Sequence, residues 1–204
     1  MAIKAVIFDI GGVLLDSDRR EQDTKQDTGT GLQRDAIFKF IARSGLGDAA
    51  TRGKISTQEL WACVGEQFKV NQQQILDSEA KFIASERLNT ELAEFLQSLR
   101  PRYKTVMLSN AWPGTREALV QRYGLDKLAD SIIFSYEEGT MKPEAKIYQL
   151  ALMRLRVQGN ETVFLDDRVV NVDGASLLGM HSIHYRDNEQ AIRDIKRVLD
   201  TWGK

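Results

Sequence analysis

Apolar residues in this chain follow two rhythms. Ala5-Val6-Ile7-Phe8, Thr105-Val106-Met107-Leu108 and Val163-Phe164-Leu165 are short unbroken runs ended by polar or charged residues. Such runs predict strands buried on both faces of a parallel sheet. Shorter strands are expected at 132–134 and 181–184. Between the runs the apolar positions take helical spacing, as in Leu92, Phe95, Leu96 and Leu99. Helices are expected over 90–99, 114–123, 143–155, about 171–178, and 189–202. Strands alternating with helices imply right-handed crossovers and a doubly wound sheet, an α/β fold.

The interval after the first strand reads differently. Gly11-Gly12 allow a tight bend. From Asp16 to about Asp35 almost every residue is polar, which predicts a mobile hinge or loop. Three helical faces follow: Ile37, Phe38, Ile41 and Ala42; then Leu60, Val64 and Phe68; then Ile75, Leu76, Ala80 and Ile83. Ser56-Thr57-Gln58-Glu59 is a capping box opening the second. No strand signal interrupts 35–88. The predicted organisation is a core of residues 1–16 and 89–204 with a helical insertion at 17–88.

In an open parallel sheet, ligands bind outside the carboxyl ends of the strands. Asp9 follows the first run, Ser109 and Asn110 follow the second, and Asp166-Asp167 end the third, while Lys142 precedes Pro143. Taken singly, these are ordinary residues: a turn aspartate, a loop-start serine, an acidic helix cap, a solvated lysine. Converging on one rim in this order, they describe a site for a metal ion and a phosphoryl group.

Composition narrows the setting. The 204 residues are 42% apolar and 28% charged, enough for one sizeable core. A net charge of −1 gives no electrostatic footprint for nucleic acid or an anionic membrane. No apolar stretch approaches the roughly 18 residues of a membrane span. The N-terminus runs straight into a strand without a signal-peptide layout. The single cysteine, Cys63, beside Leu60, Trp61 and Val64, is expected to be buried and inert. A cytoplasmic monomer or homodimer is the expectation.

The four stretches together resemble the haloacid dehalogenase-like hydrolase superfamily over nearly the whole chain. Phe8-Asp9-Ile10-Gly11-Gly12-Val13-Leu14 is similar to its first motif, Leu108-Ser109-Asn110 to the second, Lys142-Pro143 to the third and Leu165-Asp166-Asp167 to the fourth. The resemblance implies a Rossmann-like core with a small α-helical cap inserted after the first strand. Within the insertion, Arg52-Gly53-Lys54-Ile55-Ser56 is similar to a turn of the glucose-1-phosphatase-like branch. By this resemblance Asp9 is nucleophile and metal ligand, and forms an aspartyl-phosphate. Asp167, Asp166 and the Gly11 carbonyl complete a Mg²⁺ site. Ser109, the Asn110 N–H and Lys142 bind the phosphoryl group, with Lys142 neutralising its growing charge. The implied substrate is a small phosphorylated metabolite, a sugar phosphate being one candidate.

Gly11 departs from the pattern. Phosphatases of the superfamily usually carry an acid there, two residues past the nucleophile; water, Asp16 and Asp18 are conceivable proton carriers in its place. The departure admits an alternative, a catalytically weak phosphate-sensing or protein-interaction module. A phosphorylation receiver domain uses similar groups but in another chain order, which excludes it here. Other side chains read as structural: His181 and His184 as packing or surface residues, and Trp61 as core. Trp112 is either a loop anchor or a substrate-facing aromatic. Arg168 complements Asp166 or Asp173, or faces the substrate.

Overall fold

Ala5–Phe8 forms β1, a strand with no solvent exposure at any residue. Successive side chains point to opposite faces, so Val6 and Phe8 enter one apolar cluster and Ala5 and Ile7 another. A strand that feeds two cores must be central. In the computed structural model, which describes residues 2–17, 34–71, 73–75 and 86–202, it is. The sheet order is β5-β4-β1-β6-β7, with β4 at Lys104–Ser109, β5 at Ser131–Phe134, β6 at Thr162–Asp166 and β7 at His181–His184. All four pairings are parallel. Phe8 registers with Met107 on one side and Leu165 on the other. The strand order reverses direction at β1, so the ends of β1, β4 and β6 lie side by side at the switch point where ligands bind.

Helices cover both faces. Thr90–Leu99 and Asn188–Trp202 bury Leu92, Leu96, Ile195 and Leu199 against Val6 and Phe8. Ala145–Leu155 and Val169–Ser176 bury Ile147, Tyr148, Ala151 and Ala175 against Ile7 and Phe164. The Tyr148 and Phe164 rings meet edge to face at 5.5 Å. Helix ends agree with the sequence within two residues, a spread expected of fraying termini.

The insertion has its own apolar cluster. Arg34–Ser44, Leu46–Thr51 and Thr57–Phe68 are helices that bury Ile37, Ile41, Ala50, Leu60 and Val64 among themselves. The capping box is present: Ser56 Oγ accepts from Glu59 N, and the Glu59 carboxylate accepts from Ser56 N at 2.7 Å. Residues 73–75 are helical; the rest of the third expected helix lies outside the described residues, as does the polar stretch 18–33.

Two expectations are corrected. The span 35–88 does contain a strand: β3, Glu86–Leu88, pairs antiparallel with β2, Leu15–Ser17. Each strand has three residues and two of the three in β3 are charged, so no apolar alternation announces them. Its partner stands at the other end of the insertion, which local pattern cannot supply. Cys63 is exposed: Leu60 and Val64 define the inward stripe of their helix, and Cys63 falls beside it.

Candidate active site

The ends of three strands bring the predicted groups together. Asp9 leaves β1 with 5% of its surface exposed, its N–H bonded to Leu165 O in β6. Asp166 ends β6 fully buried, and Ser109 ends β4. Carboxylate oxygens of Asp9, Asp166 and Asp167 all lie within 4.8 Å of one another.

Lys142 sits at the centre and is 1% exposed. Its ammonium donates to Asp9 Oδ1 at 2.7 Å, Asp166 Oδ2 at 2.7 Å and the Leu108 carbonyl at 2.9 Å. All three donors of the group are therefore used. The backbone is held equally firmly: Asn110 Oδ1 accepts from Lys142 N, and Asn110 Nδ2 donates to Lys142 O, both at 2.8 Å. The Lys142–Pro143 peptide is cis. A solvated lysine, the ordinary reading of a lone Lys-Pro, is thereby excluded.

The electrostatics follow from burial. Burial pushes the Asp9 carboxyl up to about 7; the Lys142 ammonium opposes this and Asp166 adds to it. Burial alone would lower the Lys142 ammonium, but Asp9 and Asp166 outweigh it and hold it above its usual range. Asp167 is raised by burial and then by Asp166. Three carboxylates facing one ammonium leave an excess of negative charge, the setting in which a bound cation is the dominant local charge.

Asp167 supplies the sharper test of fit. Its Oδ1 is buried and has no hydrogen-bond partner among the described residues, a costly state unless something else satisfies it. Asp166 is the opposite case. Its Oδ1 accepts from Arg168 N at 2.9 Å and Asn171 Nδ2 at 2.9 Å, and its Oδ2 takes Lys142 and Asn171. The residues thus fit a hard cation held through Asp9 and Asp167, with Asp166 holding Lys142. Gly12, at φ +84°, is required here: a Cβ would collide with the Asp167 carboxylate.

Gly11 is exposed, and among the described residues no atom lies within 4 Å of where its Cβ would sit. Asp16 lies exposed in β2 opposite Arg87; Asp18 lies outside the described residues. Arg168 meets Asp166 through its backbone N–H, and its side chain is exposed. His184 Nε2 pairs with the Asp167 carbonyl at 2.9 Å, and His181 with Asn160 O at 3.2 Å beside the Trp202 ring. Both are packing residues, as expected. Trp112 is the loop anchor: its Nε1 donates to Thr51 Oγ1 at 3.2 Å and its ring meets Trp61 edge-on at 6.3 Å.

Two participants were missed from the sequence. Asn171, 2% exposed, donates to both oxygens of Asp166. The signal was its position five residues past Asp166, in the first turn of the next helix. Ser135 is fully buried, and its Oγ accepts from Ala111 N at 3.0 Å to fix the loop after Ser109. Nothing in its local sequence marks it.

A parallel sheet whose carboxyl rim gathers carboxylates around one buried lysine places this chain among the α/β proteins with an acidic site at the sheet's switch point. The profile of the haloacid dehalogenase-like hydrolases matches residues 3–179. The chain belongs to this family and is a hydrolase. The sesquiterpene phosphatase astK of Aspergillus oryzae is 26% identical over 200 residues, covering 96% of each chain. Rat bifunctional epoxide hydrolase 2 is 27% identical across 98% of this chain, which spans 40% of that protein's length. D-ribitol-5-phosphate phosphatase of Bacteroides thetaiotaomicron is 23% identical, covering 98% of this chain and all of that one. Among solved structures, a HAD-family enzyme of Bacteroides thetaiotaomicron, in complex with magnesium and inorganic phosphate, superposes with a TM-score of 0.77. It is 24% identical over 91% of this chain and 95% of that one. A dehalogenase with an intermediate complex gives 0.69 at 19% identity over 100% and 98%. These likenesses show the fold. Among the described residues, no helix is long and apolar enough to cross a membrane.

Proposed function

We propose that this chain is a Mg²⁺-dependent phosphomonoester hydrolase acting on a small phosphorylated metabolite. The observation that carries this reading is the Asp9–Lys142–Asp166 arrangement beside the unpartnered Asp167 oxygen. The phosphatase relatives support it, as does the neighbour holding magnesium and phosphate. Residues 17–88 form a cap over a core of 1–16 and 89–204.

Among the described residues, the hydrogen bonds to the Asp9 carboxylate, from Ile10 N and Lys142 Nζ at 2.7 Å, fall on Oδ1. Oδ2 is the oxygen that attacks phosphorus while the ester P–O bond breaks. Ser109 and the Asn110 N–H receive phosphoryl oxygens at the end of β4, and Lys142 stabilises the charge on Asp9 and the transferring group. Water then cleaves the aspartyl-phosphate and releases inorganic phosphate. Asp9, Asp167 and the Gly11 carbonyl would hold Mg²⁺, with Asp166 behind them. The cation supplies relief of repulsion between the anionic nucleophile and the phosphate.

The test is phosphate release from a panel of sugar phosphates, nucleotides and FMN, with Mg²⁺ and with EDTA. Asp9→Asn, nearly isosteric, is expected to abolish turnover with an unchanged circular dichroism spectrum. Full activity in that variant or in excess EDTA refutes the reading. The exposed Gly11 position favours the second reading, a phosphate-sensing module. Phosphate binding without turnover of any ester would establish it instead.

A further inference from the structure

Residues 51–57 of the helical insertion touch three separate segments at the sheet's carboxyl rim: the loop after Ser109, the short helix Ser135–Glu138 and the turn that carries Lys142. Thr51 Oγ1 accepts from Trp112 Nε1, and Thr57 Oγ1 donates to the Pro113 carbonyl at 2.6 Å, both on the loop that follows Ser109 and Asn110. Gly53, at φ +64°, lies so close to the Tyr136 carbonyl that no Cβ would fit. Arg52 pairs with Glu144, two residues beyond Lys142. Glu144 is itself tied across the turn that carries Lys142: its Oε2 accepts from Thr140 Oγ1 at 2.8 Å, and its N–H donates to Met141 O at 2.9 Å. Among the described residues, these other contacts are neutral, and Arg52–Glu144 is the charged one.

We propose that Arg52 and Glu144 are positioning residues that latch the helical insertion onto the turn carrying Lys142, and that substrate binds productively only to the latched arrangement. The proposal rests on the phosphatase reading above and adds to it how the insertion is held over the site. Neither residue touches the reacting atoms. Both side chains remain partly exposed, with relative accessibilities of 25% and 38%, so the pair opens and closes at modest cost and is screened by salt. Thr140 and Arg52 together hold the Glu144 carboxyl below its usual range against the opposing effect of burial, so the latch keeps its charge at neutral pH. If only the latched fraction binds, the apparent affinity falls in proportion as that fraction shrinks, while the bound complex reacts at its ordinary rate.

The test compares Arg52→Gln, Glu144→Gln, the double Gln variant and the charge-exchanged Arg52→Glu/Glu144→Arg. The expected result is a KM raised about two- to fivefold in either single variant, the scale of a partly exposed ion pair. KM should rise no further in the double variant and return toward wild type in the exchanged one, with kcat unchanged throughout. Amide exchange over 51–57 should quicken in the Gln variants and slow again in the exchanged protein. An unchanged KM in the single variants, an exchanged protein no better than they are, or a loss carried by kcat overturns the latch. If no phosphate ester is turned over by the wild type, the phosphatase reading has failed, and amide exchange alone decides the latch: unaltered exchange over 51–57 refutes it.

Discussion

Gly11 carries the sharpest chemical consequence of any single residue. If the proposed phosphatase mechanism operates with no acid at residue 11, the first step expels a poorly protonated alkoxide. Turnover should then favour aryl and anomeric sugar phosphates over simple alkyl esters. Among the described residues nothing lies within 4 Å of where its Cβ would sit, so the backbone position has room for the first atom of the side chain introduced by Gly11→Asp. That variant should flatten the dependence of rate on leaving-group pKa and accelerate alkyl esters by up to about 10²-fold, the lower end of general acid–base effects. A wild-type rate already indifferent to leaving group, with chemistry rate-limiting, would show that another residue donates the proton; Asp16 would be the first to replace. Asn171 makes a second residue-level prediction. Asn171→Ala removes two hydrogen bonds from Asp166 and loosens the partner of Lys142. The expected loss in kcat is about 10- to 100-fold, as for other groups that orient a ligand's neighbour. Steady-state kinetics with a melting curve check it, since a fold defect would lower the melting temperature and a pure orienting role would not.

Among the elements, helix Thr57–Phe68 depends most visibly on its start. Ser56→Ala breaks the capping box and should cost about 1 kcal/mol, read as a shift in the denaturation midpoint. This element was legible because a cap, an apolar stripe and a helix-forming composition agree within twelve residues. The central strands were legible for a related reason: Ala5–Phe8 and Thr162–Asp166 are buried at every position, so apolar runs alone define them. Three of the four motif segments fall at strand ends, where parallel topology carries them to one rim, and Lys142 reaches that rim from the turn before the helix Ala145–Leu155. What local pattern could not provide were relations between distant residues. β2 and β3 are too short and too charged to show a period. Ser135 acts through a backbone N–H on another strand's loop. Asn110 looked like a phosphate ligand through its N–H, while its side chain clasps the Lys142 peptide, a contact across 32 residues. Such pairings arise only once the sheet is closed.

Among the described residues, two apolar clusters share one sheet and a third lies inside the insertion. Lys142 binds residues at the ends of β1, β4 and β6 at once, so the candidate site and the carboxyl rim of the sheet are one construction. The two-stranded ribbon has a different meaning at this scale. Leu15 and Leu88 are Cα partners; Leu15 lies in the sheet's apolar cluster and Leu88 packs against it. The chain therefore departs from and rejoins the sheet at neighbouring points, and the sheet registers the excursion chiefly as a closed loop, whose entropy changes only slowly with length. A shortened protein with residues 18–85 replaced by Asn-Gly would keep the ribbon as a plain hairpin, since that dipeptide favours the tight turn the antiparallel pair needs. It should fold cooperatively and bind inorganic phosphate with Mg²⁺ by calorimetry, while losing discrimination among phosphate esters. Failure of that protein to fold would show that the helices support the sheet as well as cover it. Success would make Leu15–Leu88 a graft point, through which a differently shaped insertion brings a different substrate to the same aspartate.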